Sequence, residues 1–202
     1  GVHPRTLPNN QDGTLPLSLL EQSIRHEDIH SPSTRLICLE NTHNFCQGSP
    51  ISPEYMDSLG DLAEKYGLKV HLDGARLFNA AIALDIDVEV LTKRVDSVMF
   101  CLSKGLSAPV GSIVCGERGF IQRARKFRKM VGGGMRQAGH LAAAGLVALE
   151  SLAERLKDDH LNAKFLAEQL ASFEGIELDQ NSVKTNIIFF KLNHPRIDED
   201  RF

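Results

Sequence analysis

Leu68-Lys-Val-His-Leu-Asp73, then Gly74-Ala-Arg76, then Leu77-Phe-Asn-Ala-Ala-Ile-Ala-Leu84, and further on Ser97-Val-Met-Phe-Cys-Leu102 with Ser103-Lys104 directly behind it, read as strand, helix and strand. The two outer runs are short and apolar, the form taken by strands of a parallel sheet, and the run between them suits a crossover helix. Upstream the rhythm is the same. Arg35-Leu-Ile-Cys-Leu-Glu40 is a nearly continuous apolar run of the kind found in strands covered on both faces, and Asn41 to Ile51 reads as a loop. Ser52 then offers an N-cap with Pro53 at the first helical position, and Met56, Leu59, Leu62, Ala63 and Tyr66 share one face before Gly67 closes the helix. This alternation specifies an α/β fold, a mostly parallel sheet with right-handed crossovers and flanking helices. In such sheets chemistry gathers at the carboxyl ends of the strands.

Outward from that core, Gly1 to Leu15 is a polar lead-in with an Asp12-Gly13 turn signal, and Leu17, Leu20 and Ile24 predict a short amphipathic helix that cannot pass Ser31-Pro32. Downstream, Gly111 to Gly116 is one more strand, entered so soon after Lys104 that antiparallel pairing is expected. Glu117 to Val131 is a basic helix with Arg118, Arg123, Arg125, Lys126, Arg128 and Lys129, and Gly132 to Gly139 is a glycine-rich loop. A long helical stretch is expected from His140 to about Phe173, and Asn186 to Leu192 as the first strand of a small C-terminal α+β domain. The division is therefore residues 1–150 as part of a large α/β domain and 151–202 as the long helix and the start of the small one.

The 202 residues, 42% hydrophobic and 24% charged, suit one α/β-sized domain or a large part of a bigger one, and exclude disordered, fibrous and membrane-spanning classes. A formal charge of -3 lacks the basic footprint of a nucleic-acid binder. Four scattered cysteines, with no CxxC pair, make neither a disulfide scaffold nor a structural zinc site, and point to a reducing compartment, the cytoplasm. The chain opens on Gly1 without a charged or apolar leader, so it is expected to begin inside a longer gene product.

Three strands each deliver polar residues at or just past their carboxyl ends: Glu40 with His43, Asp73, and Lys104. A lysine closing an apolar strand is expected to be buried, which favours its neutral, nucleophilic form. The alternative is a lysine that snorkels out of the sheet edge. For Asp73 the alternative is a helix N-cap. A buried carboxylate and a buried lysine on neighbouring strands, at the same end of a sheet, match what pyridoxal phosphate requires: an imine-forming amine and a partner for the pyridine nitrogen.

Four motifs carry a resemblance: Leu39-Glu-Asn-Thr-His43, His71-Leu-Asp-Gly-Ala-Arg76, Cys101-Leu-Ser-Lys-Gly-Leu106 and Gly132-Gly-Gly-Met-Arg-Gln-Ala-Gly139. In this order and at this spacing the chain resembles the threonine aldolase family along nearly its whole length. The resemblance implies a pyridoxal 5'-phosphate enzyme of the aspartate-aminotransferase-like fold, an aldehyde lyase that cleaves L-threonine or L-allo-threonine to glycine and acetaldehyde. It implies Lys104 as the Schiff-base lysine, Asp73 as the partner of the pyridine nitrogen, and Arg76 near the phenolic oxygen or the substrate carboxylate. His30 falls where the family has a histidine near the substrate β-hydroxyl, as the base or as the group that orients a water. Lys129 and Arg136 match positions near the cofactor phosphate or a subunit boundary, against the plainer reading of exposed charge. The family resemblance further implies a homotetramer, a dimer of dimers, with a small amino acid as its substrate and neither nucleic acid nor membrane as partner. Family members carry a phosphate-holding turn and a ring-stacking histidine upstream, and a carboxylate-binding arginine downstream. The chain is thus expected to be truncated at both ends and, alone, weakly active or inactive.

Other signals compete with this reading. His26-Glu-Asp-Ile-His30 satisfies the zinc-protease pattern, but that chemistry needs both histidines on one continuous helix with a third ligand beyond, so no metal is expected. The Gly132 to Gly139 loop follows a helix and not a strand, the wrong context for a dinucleotide fingerprint. The basic helix reads as a solvated face.

Overall fold

Glu40 lies opposite Asp73, and Asp73 opposite Met99, so three consecutive strands end almost level with one another. The strands are β1 (Leu36–Glu40), β2 (Lys69–Asp73), β3 (Ser97–Cys101) and β4 (Ser112–Gly116), in the spatial order β1-β2-β3-β4. β1, β2 and β3 run parallel, and β4 returns antiparallel against β3, as its short connection requires. The computed structural model describes residues 2–194.

The helices arise where the sequence supplies their ends. Helix α1 spans Leu17–Ser23. In α2 (Pro53–Lys65) the Tyr55 N–H donates to Ser52 Oγ at 3.4 Å, Pro53 takes the first position, and Gly67 leaves the last turn at φ 63°. Met56, Leu59 and Ala63 of α2 are buried with Ile37, Leu39, Val70 and Leu72 of the strands. Helix α3 (Leu77–Leu84) covers the predicted span. Helix α4 (Val88–Thr92), five residues long, carries too little periodicity to be seen in the sequence. Helices α5 (Arg118–Met130), α6 (Gly139–Val147) and α7 (Leu156–Leu170) follow.

Three expectations change. β1 is covered on one face only: Ile37 and Leu39 are buried while Leu36 and Cys38 are exposed, because its apolar run meets a core on a single side among the described residues. The long helix after His140 is interrupted by a wider π turn at Ala148–Leu152 and an irregular turn before Leu156, and no proline or glycine there announces the break. In the span expected to open a small domain, only β6 (Lys191–Leu192) is paired, antiparallel with β5 (Ile176–Glu177). It therefore closes a two-stranded ribbon.

The segment beyond α7 is tied back to the sheet domain. Thr185 is fully buried and its Oγ1 donates to Gly48 O at 2.9 Å. A second apolar cluster joins Leu102, Leu106 and Ala108 behind β3 to Ala148, Leu149 and Leu152. No helix among the described residues is long and apolar enough to cross a membrane.

Candidate active site

The level strand ends set three loops side by side. The first leaves β1 through Asn41, Thr42, His43 and Asn44. Asn41 is fully buried: its N–H donates to Asp73 O at 2.9 Å, and its side chain exchanges two hydrogen bonds with the backbone of Ile51 at 3.0 and 3.2 Å. That exchange closes the Asn41–Ile51 loop on itself and fastens it to the end of β2. Beside it, the Thr42 hydroxyl is buried without a hydrogen-bond partner among the described residues. A buried hydroxyl in that condition costs free energy, and such orphans are rare enough to mark a site.

The second loop holds Asp73. Its Oδ1 accepts the Ala75 N–H at 3.1 Å, a short turn that aims the carboxylate, and Gly74 N–H donates to Met99 O at 2.8 Å across the sheet. Only glycine fits at 74, since a Cβ would stand 2.8 Å from that same carbonyl oxygen. Asp73 is not the N-cap of α3; Arg76 occupies that position. Arg76 does not pair with Asp73 either: its Nη1 donates to Asn44 Oδ1 at 2.9 Å. Asn44 N–H in turn donates to Glu40 Oε1 at 3.1 Å, and Glu40 Oε2 stands 3.7 Å from His43 Nε2. A polar chain thus runs from the end of β1 to the guanidinium at the start of α3. Cys38, two residues before Glu40, is exposed as a residue but partly desolvated at its thiol, and this, followed by the Asp73 carboxylate, pushes the thiol up and keeps it protonated.

The third loop is the turn joining β3 to β4. Ser107 N–H donates to Lys104 O at 2.8 Å, and Ser107 takes φ 61° to close it. Lys104 therefore emerges from the same edge of the sheet as Asp73, on the adjacent parallel strand. Both side chains are exposed, which corrects the expectation of burial. Asp73 is the last residue of β2 and Lys104 lies in the turn three residues past the end of β3, where little of the sheet remains to cover them.

Of the remaining sequence candidates, His30 is not gathered there. Arg25 and Thr34 bond to each other and root a loop whose tip carries His30, exposed, with its N–H donating to Asp28 Oδ1 at 2.6 Å. His26 in that loop lies 6.2 Å from the Tyr66 ring at the end of α2, so the loop is rooted at the amino-terminal edge of the sheet, opposite Asp73 and Lys104. His26 and His30 share no helix, since α1 ends at Ser23, earlier than the Ser31-Pro32 signal predicts; the zinc-protease geometry is absent. Lys129 and Arg136 are exposed, on the last turn of α5 and in the glycine-rich loop. Lys129 lies across Gly134, where a Cβ would come within 2.8 Å of its Nζ. The sequence reading missed Asn41, Thr42 and Asn44 as individual contributors, although their placement in a polar run directly after a strand was signal enough.

A family model for beta-eliminating lyases matches residues 1–193. Low-specificity L-threonine aldolase 1 of Arabidopsis thaliana is 50% identical over 194 residues, covering 95% of this chain and 54% of the relative. The low specificity L-threonine aldolase of Escherichia coli is 42% identical over 191 residues, covering 95% of this chain and 56% of the relative. The chain thus spans about half the length of the curated relatives it matches. A solved threonine aldolase from Leishmania major shares the fold, with a TM-score of 0.68 at 19% identity over 84% of this chain and 50% of that one.

Proposed function

The chain belongs to the beta-eliminating lyase family, and on that footing we propose that the full-length protein is a pyridoxal 5'-phosphate-dependent aldehyde lyase, cleaving L-threonine and L-allo-threonine to glycine and acetaldehyde. One observation carries the reading. A carboxylate and an amine leave neighbouring parallel strands at one edge of the sheet, in a chain 50% identical to a named L-threonine aldolase.

The residues at that edge fit the cofactor. Asp73 and Lys104 are both exposed and open to a ligand. The Thr42 hydroxyl just past β1 is buried with no partner among the described residues, and the Asp73–Gly74 turn is pressed against β3 so closely that no side chain could intervene. When bound, pyridoxal phosphate supplies an electron-poor ring that accepts the electron pair left on the substrate α-carbon. Lys104 would hold it covalently. Asp73, aimed by the Ala75 N–H, would keep a proton on the ring nitrogen, because an ionised carboxylate favours the cationic form beside it. Arg76, held by Asn44, would meet the phenolic oxygen or the substrate carboxylate with a fixed guanidinium. Lys129 and Arg136 would serve the phosphate or a subunit boundary.

Cleavage also needs a base that takes the β-hydroxyl proton as the Cα–Cβ bond breaks, and a proton returned to the α-carbon to complete glycine. An imidazole suits the first task at neutral pH, and we assign it to His30, directly or through a water. Its loop is rooted at the far edge of its own sheet, so the role asks for the homotetramer, in which one subunit's loop serves another's site. The compartment proposed is the cytoplasm.

The family description favours a second reading, β-elimination, and the products separate the two. The full-length protein, loaded with cofactor and given L-threonine, should release glycine and acetaldehyde in equal amounts. Ammonia and a keto acid in their place overturn the aldolase reading.

A further inference from the structure

We propose that Asn79 is the positioning residue of the Lys104 turn, an inference that rests on reading Lys104 as the cofactor's anchor. Asn79 is the third residue of α3, six positions beyond Asp73, and is only 2% exposed. Its buried neighbours in that helix are Leu77, Ala80 and Ala81, so a polar side chain there needs a reason.

The reason lies in what it touches. Asn79 Nδ2 donates to His160 Nε2 of α7 at 3.2 Å and to Asn186 Oδ1 at 3.1 Å. These two acceptors use both amide hydrogens and fix which way the group faces. The opposite end of the amide faces the residue after the lysine: a Cβ on Gly105 would stand 3.3 Å from Asn79 Oδ1 and 2.6 Å from Leu156 Cδ2. Leu156 is 1% exposed, so that seat cannot readily yield. The backbone behind Lys104 therefore rests on a platform drawn from α3, α7 and the segment before β6. Helix α3 also carries the Asp73 loop at its start. One side chain thus sets the lysine's turn against the helix that fixes the carboxylate, which is the distance the cofactor must bridge.

The test uses the full-length protein loaded with pyridoxal 5'-phosphate, reading kcat, KM and the pH midpoint of the visible band of the lysine-bound cofactor. Asn79→Ala should lower kcat on the order of 10- to 100-fold with KM changed by less than about threefold, and shift the midpoint, as expected when a reacting group is misplaced by an ångström or less. Gly105→Ala, which leaves the polar network intact and lifts the turn from its seat, should do the same, and it carries the test if Asn79→Ala does not fold. His160→Gln, whose amide oxygen can still accept from Asn79, should keep the wild-type midpoint, and His160→Leu should shift it. A wild-type midpoint and kcat in both Asn79→Ala and Gly105→Ala overturns the inference. A wild-type protein that shows no band dependent on Lys104 overturns the reading of Lys104 itself, and this inference with it.

Discussion

Asp73 is tied through one carboxylate oxygen to the Ala75 N–H and is exposed, so it is pre-aimed yet accessible. Its value at this edge is its charge. Asp73→Asn keeps the shape and the turn but cannot hold a proton on a ring nitrogen, so kcat for threonine cleavage should fall about 100-fold or more, the usual cost of deleting one electrostatic partner of the reacting system. Steady-state assays of the cofactor-loaded variant check this; a change under threefold would remove Asp73 from the proposed role. At this scale the sequence was informative about identity and poor about environment. Asp73 and Lys104 follow apolar strands, and that order alone placed them at one edge. Their exposure was not readable, because burial at a strand end depends on what lies over the edge. Arg76 illustrates the same limit: its partner Asn44 lies 32 residues away, on another loop.

The helices divide according to how much local signal each possessed. α2 was legible at both ends because a serine cap, a proline and a glycine mark it, and α3 because a compact apolar run follows a turn. The break between α6 and α7 was not, since every residue there is a competent helix former and the interruption answers tertiary packing: Ala148 and Leu152 turn toward Leu102 and Leu106. α7 in turn carries His160, 6% exposed, whose pKa is lowered chiefly by burial, with Asp159 opposing and Lys164 adding a smaller push down. It accepts from Asn79 as a neutral ring. A basic group with a folded pKa below its unfolded value of about 6.5 binds fewer protons when folded, so stability is fully present above that pH and is lost as the pH falls through it toward the folded value. Urea unfolding followed across pH 5 to 8, roughly the histidine window, should show that loss in the wild type and a flatter profile in His160→Gln. Parallel profiles would count against a buried neutral His160.

The sequence-based boundary at residue 150 runs through a cluster that packs Leu102 and Leu106 against Ala148, Leu149 and Leu152. Beyond it, the Thr185 hydroxyl reaches Gly48, whose φ of 66° and whose contact with that hydroxyl both exclude a side chain. Such long-range ties have no sequence period and cannot be read from a single chain. Thr185→Ala leaves a buried carbonyl oxygen without its donor and should destabilise the full-length protein by about 1 to 3 kcal/mol in denaturant unfolding; an unchanged midpoint would show that the tie carries nothing. Since this chain spans about half of its relatives' length, the assembled site is a property of the whole protein. The most direct measurement is therefore made there: borohydride reduction of the full-length protein loaded with pyridoxal 5'-phosphate, followed by peptide mass mapping. The pyridoxyl mass should appear on the peptide containing Lys104 and vanish in Lys104→Ala; the same mass on another lysine, or an unlabelled wild-type protein, would remove Lys104 as the cofactor's anchor.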